Sequence, residues 1–258
     1  MKRKRLNMDD KDSRVALVTG GTRGLGRAIA ERLLNDGWAV VVCGRKIPDT
    51  PVSADNKIAH SVVADVRDPE SVATLVAETV ARFGRLDLLV NNAGGSPKVD
   101  VAEASPRLME RIIALNLLGP LFVSQAAYPH LRKAGGSIVN IASVSGVRAS
   151  PGTTAYGAAK AGLISATTSL AMEWGPEVRV NAIVVGLVDD PDQVEHYGGN
   201  EGVARIAAGI PMKRLMRGPD LASMVTWLAS PDAGYVSGAC VELHGGGEPP
   251  AFLSLGRD

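Results

Sequence analysis

The sequence predicts an α/β fold, a parallel sheet with helices on both faces. Short apolar β-branched runs recur along the chain. Helix-length segments separate them. The interior must be built from small residues, because 45% of the 258 residues are hydrophobic and only 4% aromatic. Ala, Val, Leu and Ile suit helices packed closely on a parallel sheet, and strand–helix alternation leaves few other architectures.

The runs that read as buried strands are VALVT (15–19), WAVVVC (38–43), IAHSVVA (58–64), LDLLVN (86–91), GSIVNIAS (136–143), VRVNAIVV (178–185) and ACVELH (239–244). Helical patterns fall between them in LGRAIAERLLNDG, DPESVATLVAETVARFG and the stretch from Thr154 to Trp174. Gly37 and Gly84 stand where helix C-caps should fall. Residues 187–218 break the rhythm, being rich in Gly, Asp and Pro with a weak helical pattern near Val203 to Ala208. A long insertion after a strand reads as a substrate lid. No repeat or low-complexity linker divides the chain. One domain over 14–258 is expected after a tail at 1–13.

Net charge is +1, so nothing global steers the chain to nucleic acid or a membrane. The basic run Lys2 to Arg5 is followed at once by Asp9, Asp10 and Asp12 and reads as a solvated, disordered terminus. No secretory h-region follows it, and no apolar stretch reaches the roughly 18 to 20 residues of a membrane span. Cys43 and Cys240 lack metal-ligand spacing. They read as buried free thiols of a cytoplasmic protein with no metal site.

The first strand runs into TGGTRGLG, Thr19 to Gly26, and then into a helix. In a doubly wound sheet this turn holds a pyrophosphate, because glycines admit the backbone and the helix N-terminus offers free N–H groups. Gly20, Thr22, Arg23, Gly24, Leu25 and Gly26 are therefore candidate cofactor contacts. An acid at the end of the second strand would bind the ribose 2′-hydroxyl of NAD. Cys43-Gly44-Arg45-Lys46 stands there instead. Arg45 can pair with a 2′-phosphate, and Arg23 is placed to reach the same group, so NADP(H) is the expected cofactor.

YGAAK puts Tyr156 and Lys160 at i and i+4 on one helix face. A phenol with a pKa near 10 needs neighbouring positive charge to act near neutrality. Ser143 ends a strand at the sheet's C-terminal edge, where it could hold a substrate oxygen beside Tyr156. Asn116, in LMERIIALNLLG, is a buried-looking amide that could fix a water relaying protons to Lys160.

Together TGGTRGLG, Asp65-Val66, NNAG (Asn91 to Gly94), Asn116, Ser143, YGAAK, RVNAI and Val236-Ser237-Gly238 resemble the short-chain dehydrogenase/reductase family, over Arg14 to His244. The resemblance implies a Rossmann-type three-layer sandwich around a seven-stranded parallel sheet. It implies Asp65 and Val66 beside the adenine, and Asn92, Ala93 and Gly94 under the cofactor. Gly186 and Val188 would meet it at the far edge. Asn116, Ser143, Tyr156 and Lys160 would be the catalytic group, with Lys160 also on the nicotinamide ribose. The chain departs from the family where Pro-Gly and a later Thr are usual. Val185-Gly186 and Asp189 stand there. Asp189 could accept from the nicotinamide amide or point to solvent beside Asp190.

The expected activity is ketone reduction or alcohol oxidation on a largely apolar small molecule, such as a 3-oxoacyl thioester or a polycyclic, steroid-like ketone. Leu187, Val188, His196, Tyr197, Ile206, Ile210 and Met212 in the lid suit such a substrate. The alternative is a non-catalytic NADPH-binding sensor or scaffold. Trp227 and PPAFLSL (249–255) point to a homo-oligomer, and the resemblance implies a tetramer; a dimer is the other expectation.

Overall fold

The computed structural model describes residues 13–250. The basic run and most of the C-terminal apolar segment lie outside them. Seven parallel strands form one sheet: β1 (Val15–Thr19), β2 (Ala39–Gly44), β3 (His60–Val63), β4 (Leu88–Asn91), β5 (Ser137–Ser143), β6 (Arg179–Val185) and β7 (Cys240–Leu243). Their order across the sheet is β3-β2-β1-β4-β5-β6-β7. Each expected strand is present, within two residues at either end. A small hairpin, Ser53–Ala54 against Lys57–Ile58, adds a separate two-stranded sheet.

Alternation along each strand divides the core. Val18, Val40, Val90 and Ile183 face a layer made by α1 (Gly24–Asn35) and α7 (Gly218–Leu228), which bury Ile29, Leu33, Leu221 and Val225. Leu17, Val41, Leu89 and Ile138 face the other layer, with α2 (Pro69–Phe83), α4 (Gly119–Ala134) and α5 (Thr154–Trp174). Pro at N1 and the Asp68 carboxylate, accepting from Glu70 N, start α2; Gly84 at φ +77° ends it. Cys43 is buried but Cys240 is only partly so, because β7 is an edge strand.

Helix α3 (Pro106–Ile113), a π turn (Ala114–Leu118) and α4 join end to end. The resulting run, Pro106–Ala134, is long and apolar enough by length and composition to cross a membrane, an 18-residue stretch of it having mean hydropathy 1.3. No such run was expected from the sequence, since no local pattern announces that three elements are continuous. Val123, Ala127 and Leu131 are fully buried against the sheet, as in a core helix.

The strand order reverses between β1 and β4. At such a reversal the loops leaving neighbouring strands diverge and open a crevice at their C-terminal ends. The segment 187–218 lies above this edge and contains α6 (Gly199–Gly209), longer than its weak sequence pattern implied.

Candidate active site

The crevice is braced by Thr19, the last residue of β1. Its hydroxyl accepts from the N–H groups of Asn92 and Ala93, each at 3.0 Å, and donates to Val90 O at 3.3 Å. Asn92 Nδ2 donates to Thr19 O at 2.9 Å and Gly20 O at 3.3 Å. Asn92 and Ala93 thus tie the ends of β1 and β4 together. At Gly26 a Cβ would lie 2.4 Å from both Asn92 Nδ2 and Gly20 O, so only glycine lets α1 begin this close to the turn.

No side chain caps the N-terminus of α1, which leaves its first-turn N–H groups available to an anion. A Cβ placed on Gly24 would meet only Asp190 Oδ2, at 3.2 Å. The cradle therefore fits a dinucleotide pyrophosphate. Thr22 packs against Gly44 beside the exposed Arg45, and Leu25 packs on the core. Arg23, expected on the 2′-phosphate, pairs instead with Asp192 of the segment 187–218 at 2.5 Å. Both of those side chains are largely exposed, so the pair is a weak one.

Asp65 is forked by Arg67, whose Nε donates to Oδ1 at 2.9 Å. That bond holds the carboxyl below its ordinary range against the opposing effect of burial, and Arg45 adds a smaller pull. Val66 is buried beneath Gly119.

Asn116 sits in the π turn, fully buried. Its Oδ1 accepts from Gly95 N, and its Nδ2 donates to Gly95 O and Ile112 O, all at 2.9 Å. Both donors are committed to backbone, so a water toward Lys160 has only an Oδ1 lone pair to use. The expected relay through this amide is narrowed accordingly. A Cβ on Gly94 would lie 2.8 Å from Asn116 Oδ1 and 3.3 Å from Lys160 Nζ. Gly94 thus keeps both groups open to the crevice.

Ser143 is the last residue of β5, and its hydroxyl stands near the Tyr156 phenol at the start of α5, where it favours the ionised form. Lys160 is buried, 5.7 Å from its Nζ to the Tyr156 ring centre, and donates to Ile141 O at 2.7 Å. Burial depresses the lysine to about 8. The phenol was expected to be lowered by this ammonium. Among the chain's own groups it is raised: desolvation outweighs the lowering effect of Ser143, and Tyr197 pushes the same way as burial.

At the far edge, Gly186 lets His244 approach closely, and Val188 N–H donates to Tyr197 Oη at 3.1 Å. Asp189 is exposed. Its Oδ2 lies 3.3 Å from Arg217 Nε.

A cleft of about 270 Å³ opens beside Ser143, lined by Val144, Val147, Leu187 and Ile210 together with Arg148, His244 and Glu248. Sequence reasoning missed these last three, along with Thr19. Arg148 has one faint signal, its place five residues after Ser143. His244 and Glu248 have none, because they reach the site only through the pairing of β6 with β7.

A family model described as enoyl-(acyl carrier protein) reductase matches residues 20–247. An uncharacterized oxidoreductase of Mycobacterium tuberculosis is 34% identical over 248 residues, covering 93% of this chain and 94% of its own length. The 4-formylbenzenesulfonate dehydrogenase of Comamonas testosteroni is 35% identical over 249 residues, covering 91% and 98%. A variant of actinorhodin polyketide ketoreductase, solved with NADPH, superimposes with a TM-score of 0.83 at 31% identity, covering 92% of this chain and 98% of that one.

Proposed function

Because the chain belongs to the short-chain dehydrogenase/reductase family of oxidoreductases, we propose that it interconverts a ketone and a secondary alcohol with NADP(H), using Tyr156 as proton donor and acceptor. A bound nicotinamide would supply or accept the hydride. Gly20 to Gly26 and the uncapped start of α1 would hold the pyrophosphate, and Arg45 the 2′-phosphate. The observation that carries the reading is the meeting of Ser143, Tyr156 and buried Lys160 at the sheet's C-terminal edge, with Lys160 Nζ 5.7 Å from the Tyr156 ring centre.

Ser143 orients the substrate oxygen. Tyr156 gives that oxygen its proton during reduction and takes it back during oxidation. Lys160 supplies positive charge under the phenol; a pKa of about 8 leaves it mostly protonated at neutrality. The substrate sits in the cleft against Val144, Val147, Leu187 and Ile210, whose apolar surfaces suit a largely apolar body. The preference for NADPH rests on Arg45 standing where an NAD site needs an acid. A cytoplasmic homo-oligomer, tetramer or dimer, completes the proposal, and light scattering measures that state directly.

The activity test is Tyr156→Phe, followed by NADPH absorbance on a panel of ketones. The ring keeps its packing and loses only its proton, so turnover falls below a few per cent while NADPH binding stays near the wild-type value. Substantial residual turnover removes Tyr156 from the chemistry.

A further inference from the structure

The cleft beside Ser143 holds an ion pair whose two partners are built differently. Arg148 follows the short 3-10 turn after β5. Its N–H is tied to Val144 O at 3.0 Å, and its Nη1 donates to Ala149 O at 3.0 Å. The remaining Nη2 points to Glu248 Oε1 at 2.6 Å. Glu248 comes directly after Gly245, Gly246 and Gly247, with φ of +66°, +94° and +79°. Three successive glycines hold backbone angles that other residues rarely adopt. The cation follows a hydrogen-bonded turn, and the anion follows a glycine run.

The pair lies within reach of the chemistry. Val144 and Gly186 line the same cleft, and they follow Ser143 and Val185, which face each other in the β5–β6 register. His244, also on the cleft wall, keeps its Nδ1 buried without a partner while Nε2 is engaged by Glu242 at 2.7 Å. Arg148, Glu248 and His244 thus share the cleft with the aliphatic Val144, Val147, Leu187 and Ile210.

We infer that the substrate carries a carboxylate or another acidic group, that Arg148 is the residue that holds it, and that Glu248 is an internal stand-in displaced on binding. This rests on reading the Ser143–Tyr156 edge as the carbonyl site. The exchange is feasible because both side chains are over a third exposed, and such a pair is worth at most about a five-fold shift in equilibrium. A substrate carboxylate recovers the same charge-assisted bond to Arg148, while the released Glu248 is hydrated. The substrate thus has an acidic end at Arg148, an aliphatic middle, and its carbonyl at Ser143.

The test needs no turnover. Hexanoate, hexanol and hexylamine share one aliphatic chain and differ in the end group, and ligand-observed NMR ranks their affinities for the whole chain. Hexanoate should bind a few-fold tighter than hexanol, the scale of an exposed charge-assisted pair. Arg148→Gln should erase that preference and leave hexanol binding unchanged. Glu248→Gln should tighten hexanoate about three-fold by removing its competitor, and this variant keeps the test open should Arg148→Gln fail to fold. Equal binding of hexanoate and hexanol, or a preference for hexylamine, overturns the inference. Hexanoate preference without turnover of any ketone overturns the catalytic reading alone. Turnover of neutral ketones without hexanoate preference overturns the acidic substrate alone.

Discussion

Lys160 shows how burial and charge compete at a single residue. The ammonium loses its proton near pH 8 in the native chain and near its ordinary value of 10.5 when unfolded. Between those values the unfolded chain binds more protons, so unfolding free energy rises with pH across that window. The charge is a cost to the fold below pH 8, and the cost disappears as the native group deprotonates. Relative to Lys160→Met, wild-type stability should therefore climb by up to about 3 kcal/mol from pH 8 to 10.5. Denaturant titrations of both proteins across that range measure it, and a flat difference would mean the charge is not desolvated. At Ser143 the expected effect is smaller than at Tyr156. Ser143→Ala should lower kcat but leave measurable turnover, because water replaces part of a lost hydrogen bond; complete inactivation in rate assays would assign Ser143 more than orientation. Tyr156 and Lys160 were both legible in the sequence. Their pKa directions were not, because desolvation depends on what covers them.

Among the elements, the segment 187–218 departs most from its sequence reading. Its acids meet the cofactor turn: Asp192 pairs with Arg23, and Asp190 Oδ2 stands 3.2 Å from the Gly24 Cβ position. Carboxylates there oppose phosphate. Two charges about 6 Å apart interact by roughly 3 kcal/mol at an effective dielectric of 20, and exposure and salt cut that well below 1. Asp190→Asn with Asp192→Asn should therefore tighten NADPH binding by a few-fold, more at low salt; calorimetry that finds weaker binding would make the acids supports of the turn. Asp189 gives the opposite expectation. Its charge is engaged by Arg217, so Asp189→Thr should leave the NADP⁺ to NADPH affinity ratio within about two-fold. A larger change in that ratio would place the carboxylate at the nicotinamide. Helix α5 was legible from its pattern residue for residue. The π turn around Asn116 was not, since an extra residue in a helical run leaves no mark in apolar periodicity.

For the whole molecule, cofactor choice should appear in stability. A ligand at about 100 times its Kd adds about 2.7 kcal/mol to the folded state. For a chain of this size that corresponds to about 5–10 °C in melting temperature. NADPH should produce such a shift, and NADH at the same concentration clearly less, with Arg45→Ala narrowing the gap. Equal shifts for the two cofactors in wild type would show that Arg45 does not meet the 2′-phosphate.

The sequence by itself determined the layered α/β fold, every strand of the main sheet, and the placing of Ser143 at a strand end and of Tyr156 and Lys160 on one helix face. Those features are local. Apolar runs, glycine punctuation and a four-residue spacing are properties of neighbouring residues, and the backbone converts them directly into elements. Only the tertiary structure decided which charges meet. Arg23 finds Asp192 across 169 residues, and Arg148 finds Glu248 across 100. Such pairs arise because the strand order brings loops from distant parts of the chain to one edge of the sheet. Their energies are too small to shape the sequence around them, so no local pattern records them, although they set the charge that a cofactor and a substrate would meet.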